Sequence, residues 1–283
     1  AAITGLISYC GVFFGDSFYW LFIIMALMSF FWSASLPLIE ATTLSHLGQN
    51  TARYGSIRSW GSLGFICAVI GIGYLLDTTK IISLLWWVLG FKLGIVIFSW
   101  RIPEAEVTSH VTDSLSVKQI LKQPGVLAFF IACLLMAFAH GPYYTFYSIY
   151  LVEYGYSKGI IGLLWAVGVI CEIGIFFLIP RLMNWFNLKQ VLAFSFFCAV
   201  IRFLMIGWGV EWSAAILLAQ VLHAATYGAH HVAAMMVIHH FFRGRHQAKG
   251  QTFYTSFTFG IGGALGGVFS GYAWEWMGPE FTF

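Results

Sequence analysis

Charge is what this 283-residue chain has least of: nine per cent of its residues are Asp, Glu, Lys or Arg, against sixty per cent apolar. A soluble domain carries about a quarter charged residues. So few charges cannot cover a water-facing surface, which excludes an ordinary soluble globule and leaves lipid as the solvent for much of this one. The formal net charge of +3 is too small to point to a nucleic-acid partner. Cysteine is sparse as well. Cys10, Cys67, Cys133, Cys171 and Cys198 form no CxxC pair and all sit in apolar runs. That leaves packing as their role and gives no disulfide framework or metal site. No basic region precedes the first apolar stretch, so it does not read as a signal peptide.

Aromatic residues are abundant, at nineteen per cent, with twelve Trp and twenty-eight Phe. They suit wide hydrocarbon contact and interfacial anchoring. A spanning helix needs about twenty apolar residues. Nine segments meet or approach this: 1–15, 18–45, 57–76, 80–101, 125–151, 158–180, 188–208, 212–241 and 251–274. Barrel strands would alternate over about ten residues, whereas these runs are continuous and longer. The fold class expected is an all-α membrane bundle. The first segment is short and the chain lacks an initial Met, and Glu280 to Phe283 follow a Gly-Pro turn signal. The expectation is a fragment, with another helix beginning near its end.

The single long connection, 102–124, contains Pro103, Glu104, Glu106, Asp113, Lys118 and Lys122. It divides the chain into a half-bundle of four segments over 1–101 and one of five over 125–283, with a short surface helix expected over 114–123. Basic residues assign the sides. Loops after the second, fourth, sixth and eighth segments hold nine (Arg53, Arg101, Lys118, Lys122, Arg181, Lys189, Arg243, Arg245 and Lys249); the opposite loops hold Lys80 and Lys158 only. The opposite loops also carry Asp16, Asp77, Glu153, Glu211, Glu275 and Glu280. The long connection is therefore predicted to be cytoplasmic in a multi-pass inner-membrane protein. The third and ninth segments are both glycine-rich and each follows a basic loop, which suggests two parallel repeats.

An ionisable side chain at bilayer depth costs at least about 2.5 kcal/mol and is a functional candidate by default. Glu40 and Arg58 flank one cytoplasmic turn at equal distances, so antiparallel helices bring them to similar depth, where they can pair as a site or as a structural lock. Glu172 and Arg202 repeat the arrangement in the second half. Lys92 either snorkels or faces a cavity. His223, Tyr227 and His230 follow i, i+4, i+7 spacing and are expected to share one polar face; His223 suits proton uptake or a hydrogen bond to a solute. The pairs His230/His231 and His239/His240 lie nine residues apart and point to opposite sides, a poor spacing for a metal site. His140, Tyr143, Tyr144 and Tyr147 form another stripe of polar tips, suited to an aromatic or hydroxylated solute or to packing.

The stretch Pro37-Leu38-Ile39-Glu40-Ala41, followed by Tyr54-Gly55-Ser56-Ile57-Arg58-Ser59-Trp60-Gly61-Ser62, resembles the lactose-permease and phenylpropionate-permease branch of the major facilitator superfamily. Leu121-Lys122-Gln123-Pro124, Glu172, Arg202 and Leu222-His223 fall in matching order. The resemblance implies a twelve-helix carrier of which this chain is about helices three to eleven, working by alternating access and functional as a monomer when full length. It implies substrate contacts at Glu40, Arg58 and Phe65, joined here by His140, Tyr144, Tyr147 and Tyr227. It implies proton coupling through Glu172, Arg202 and His223, to which His230 is added. Where a sugar permease has an acidic residue after its His, a Lys before it, paired acids on the seventh helix and a sugar-stacking Trp, this sequence has Thr226, Gln220, Gly141 with Tyr144, and Phe65. These departures look more like the phenylpropionate permease. The resemblance thus implies a proton-driven importer of a small organic solute, an aromatic acid before a sugar or nucleoside, with no cofactor. A His-dependent membrane metalloenzyme is the rival from another class.

Overall fold

The computed structural model describes the chain apart from residues 34, 48–53, 104–116 and 243–245; the side chains of 36, 37, 40, 41, 44, 45, 54–56, 117, 180 and 246–248 are likewise outside the description. The turn between Glu40 and Arg58 therefore lies outside the described residues. So do the Glu40 side chain and Arg53, Glu104, Glu106, Asp113, Arg243 and Arg245.

The described residues are helical almost throughout, as the continuous apolar runs predict. Among the described residues five helices are long and apolar enough to cross a membrane: Ile57–Thr78, Pro124–Glu153, Lys158–Ile179, Leu188–Trp208 and Ser213–Phe241. Three shorter apolar helices, Ala2–Phe14, Phe18–Ser33 and Ser83–Ser99, match the early segments. Side chains such as Phe14, Phe177 and Trp185 are 81, 78 and 83 % exposed, a surface that only a lipid environment satisfies.

Contacts divide the chain into two compact units, Ala1–Phe65 with Thr78–Ser109, and Ile66–Asp77 with His110–Phe283. The first unit contains α1 (Ala2–Cys10), α2 (Phe18–Ser33), α3 (Ser35–Leu47), the start of α4 (Tyr54–Thr78) and α5 (Ser83–Ser99). Tyr9 of α1 donates its hydroxyl to the Leu85 carbonyl of α5 at 2.9 Å. Lys92, in the middle of α5, is buried and its ammonium lies 4.5 Å from the Trp32 ring and 5.6 Å from the Tyr9 ring. It does not snorkel: two aromatic faces offset part of the loss of hydration instead.

The second unit takes the end of α4, then α6 (Val117–Leu121), α7 (Pro124–Ala139), α8 (Gly141–Glu153), α9 (Lys158–Leu182), α10 (Leu188–Trp208), α11 (Ser213–His223), α12 (His230–Phe241), α13 (His246–Tyr254), α14 (Gly263–Met277) and α15 (Pro279–Thr282). The short surface helix is thus confined to Val117–Leu121 among the described residues. Local chemistry sets several ends. Pro124 opens α7 at a position where its missing N–H costs nothing. Ser157 caps α9, and Asn187 with Gln190 forms a capping box on α10.

In the second unit, three predicted segments are not simple α-helices. The segment expected as 125–151 breaks at His140, because Pro142 has no N–H to continue the ladder. The break packs on α14, where a Cβ on either Gly141 or Gly266 would collide with the opposing backbone. The other two each contain a π-helical insert, Ala224–Ala229 between α11 and α12 and Thr255–Gly262 between α13 and α14. Such inserts rotate everything beyond them relative to a straight helix, and they cluster at functional sites.

Candidate functional site

Arg202 of α10 is fully buried in the second unit. Its Nε donates to the Ala219 carbonyl at 2.9 Å, and its Nη1 reaches Thr226 Oγ1 and His140 Nε2, each at 3.3 Å. The guanidinium carbon sits 4.1 Å from the centre of the Tyr143 ring. All these partners are neutral, and among the described residues Nη2 has no hydrogen-bond partner. A buried cation held only by neutral groups favours an anion brought to it.

The hydrogen bonds also fix the state of His140. Its Nδ1 is 2.8 Å from the Met136 carbonyl, which only accepts, while the Arg202 guanidinium only donates. Nδ1 therefore carries the proton and Nε2 offers its lone pair. The Tyr143 hydroxyl donates to Gln220 Oε1 at 2.9 Å. Thr226 passes its own proton to the His223 carbonyl at 3.4 Å and so accepts from Arg202.

The expected Glu172–Arg202 ion pair is not the arrangement found. Glu172 of α9 lies 3.9 Å from His223 Nε2 instead, a charge pair only when the imidazole is protonated. The predicted face of His223, Tyr227 and His230 is also corrected. His223 stacks on Tyr227 at 5.3 Å and Tyr227 stacks on His231 at 6.2 Å, nearly parallel in both cases. The π insert produces this register, and His230 turns toward α10, where its Nδ1 is 3.1 Å from Ser195 Oγ.

Beside this network lies a cavity of about 240 Å³. His140, Tyr144 and Met136 form its wall on one side, Thr226, Tyr227, His230 and His231 another, and Tyr254, Thr258 and Phe259 a third. Both π inserts therefore face it, through Thr226 with Tyr227 and through Thr258 with Phe259. Among the predicted site residues, His140, Tyr144, Tyr227 and His230 are brought together around this cavity. Tyr147 is buried in the neighbouring hydrophobic core, against Tyr143 and Trp165. Arg58 and Phe65 stand exposed on the part of α4 that belongs to the first unit.

Sequence reasoning did not single out Gln220, Ser195, His231, Tyr254 or Thr258 for this site. A signal existed for the last two: they are polar groups one turn apart inside an apolar segment, as Tyr143 and Tyr147 are. Among the described residues no group of three or more His, Cys, Asp or Glu side chains has the arrangement needed to hold a metal.

The family model described as MFS_1 like family matches residues 1–283. The probable 3-phenylpropionic acid transporter of Escherichia coli K12 is 29% identical over 265 residues, covering 92% of this chain and 69% of that protein. The uncharacterized transporter YwbF of Bacillus subtilis 168 is 28% identical over 174 residues, covering 61% of this chain and 43% of that protein. Among solved structures, the nucleoside transporter NupG superposes with a TM-score of 0.79 at 18% identity, covering 97% of this chain and 74% of that one.

Proposed function

The chain belongs to the MFS_1 like family of membrane transporters, and from that premise we propose that it carries a small aromatic carboxylic acid across the cell inner membrane in symport with protons. The observation that carries this reading is Arg202: fully buried, contacted by neutral groups, with one guanidinium nitrogen unpartnered among the described residues. It stands behind His140 and Thr226, which line an aromatic cavity. A carboxylate is the complement of a guanidinium fork, and Tyr144, Tyr227 and Phe259 supply faces for an aromatic ring.

In this reading Glu172 and His223 handle the proton. A proton on the pair stabilises the 3.9 Å contact, and its departure weakens the contact next to the residues that hold Arg202. Tyr143 holds the guanidinium face and Tyr147 braces Tyr143. His230 serves the cavity wall. Glu40, Arg58 and Phe65 are proposed to bind substrate on the strength of the family resemblance. The carrier acts as a monomer, and the solute moves inward.

Uptake of labelled 3-phenylpropionate into proteoliposomes, with sugars and nucleosides as competitors, tests the reading. Expected are uptake that aromatic acids alone suppress, acidification of the lumen during uptake, and a loss of at least about thirtyfold in Arg202→Gln, as expected for removing a buried charge partner. Glu40→Gln and Arg58→Ala run alongside. Uptake suppressed by sugars or nucleosides instead would refute the substrate class; uptake indifferent to the proton gradient would refute the coupling.

A further inference from the structure

We propose that this cavity selects aromatic acids bearing a ring hydroxyl, recognised jointly by Tyr254, Thr258 and His230; the proposal rests on the reading of the cavity as the solute site.

All three residues line the cavity and are at most 5% exposed. Among the described residues Tyr254 Oη, Thr258 Oγ1 and His230 Nε2 have no hydrogen-bond partner. Other tyrosines and threonines of the chain do find partners. Tyr143, Tyr150 and Tyr156 each donate their hydroxyl, to Gln220 Oε1, the Gly207 carbonyl and the Val210 carbonyl. Thr145 and Thr282 turn back to the carbonyl four residues earlier, the usual fate of a helical Thr. Thr258 does not. Among the described residues Tyr147 Oη, Gln220 Nε2 and His223 Nδ1 also lack a partner, but none of these three residues lines this cavity.

The polarity of the missing partner can be derived. Ser195 Oγ donates to the Leu192 carbonyl at 2.7 Å, so its lone pair accepts from His230 Nδ1–H at 3.1 Å. In the neutral imidazole Nε2 is then an acceptor. Its complement is a donor, while Tyr254 and Thr258 can each give or take a proton. A hydroxyl donates one hydrogen and accepts others, which fits the set. A carboxylate has no hydrogen to give to Nε2, so the solute's acid group points away from this wall and its ring substituent toward it. Space agrees: an apolar cavity of about 150 Å³ takes up benzene, and this one, at about 240 Å³, has room for a single substituted ring.

A site built to bond a hydroxyl discriminates strongly against the analogue lacking it, because its buried groups are then unpaired. The purified protein is titrated calorimetrically with 3-phenylpropionate, its 2-, 3- and 4-hydroxyphenyl analogues and the matching methyl ethers. One hydroxyl position is expected to bind at least about tenfold tighter than the unsubstituted acid. Its methyl ether, which cannot donate to His230, should not. The ratio of the two affinities should fall toward one in the double variant Tyr254→Phe with Thr258→Val; a general loss of affinity cancels in that ratio. If the variant does not fold, the wild-type series with its ethers decides alone. Equal affinities across the wild-type series, or a preference that survives the double variant, overturns the selection while leaving the transport reading intact. Binding of none of these acids overturns both.

Discussion

Arg202 shows how one side chain organises the others. Its charge is spread over a carbonyl, an imidazole nitrogen, a hydroxyl and a tyrosine face, so each of these is held in one donor or acceptor role. Replacing His140 by Leu removes an acceptor from a buried charged donor, and a further loss of about 1–3 kcal/mol in stability is expected. His140→Gln, whose amide oxygen can still accept, should recover much of it. Thermal unfolding in detergent measures the difference, and equal destabilisation by both changes would show that packing rather than the hydrogen bond matters. That Arg202, His140, Glu172 and His223 are titratable groups inside apolar runs was legible in the sequence. Who meets whom was not: the expected Glu172–Arg202 pair gives way to Glu172 with His223, because helix rotation and not distance from a turn decides which groups face each other.

At the scale of elements, the junction between the end of α4 and the start of α9 is a reciprocal cap. Both carboxylate oxygens of Asp77 accept backbone N–H groups, from Lys158 at 2.7 Å and Gly159 at 3.0 Å, while the Lys158 ammonium donates to the Leu76 carbonyl at 2.7 Å. An anion thus sits at a helix N-terminus and a cation at a helix C-terminus, each where the helix dipole favours it. Asp77→Ala is expected to cost about 0.5–2 kcal/mol, read as a lower unfolding midpoint and faster amide exchange in the first turn of α9; Asp77→Asn should cost less. Close packing accompanies the cap. A Cβ on Gly162 would run into the Val69 carbonyl, so Gly162→Leu should separate the two helices and weaken a disulfide engineered across them. The segment starts at 158 and 188 were legible from the apolar runs, while the caps at Ser157 and Asn187 emerge from the structure. The π inserts were not, since a run such as Ala224–Ala229 carries no composition that distinguishes it from an α-helix.

At the scale of the molecule, contacts among the acidic loops of the second unit agree with the charge asymmetry. Asp77 meets Lys158, the Tyr154 hydroxyl donates to Glu280 at 2.9 Å, and the Tyr156 hydroxyl donates to the Val210 carbonyl at 2.7 Å. These loops gather at one end, as loops on a single side of a membrane must. An impermeant maleimide is therefore expected to label Glu211→Cys in intact cells, and Lys189→Cys only after permeabilisation; the reverse pattern would invert the topology.

The sequence alone determined that the chain is a multi-pass helical bundle, and it marked Arg202, His140, Glu172 and His223 as titratable groups within apolar runs. Those properties follow from the length and polarity of runs along the chain, and burial of an apolar run requires no knowledge of its neighbours. Only the tertiary structure decided that Tyr254 and Thr258 share a cavity with His230, that His231 replaces His230 in the aromatic stack, and that neutral groups hold Arg202. These depend on the rotation of each helix about its own axis. Two π inserts and a proline break reset that rotation, and it is fixed only when the helices pack against one another.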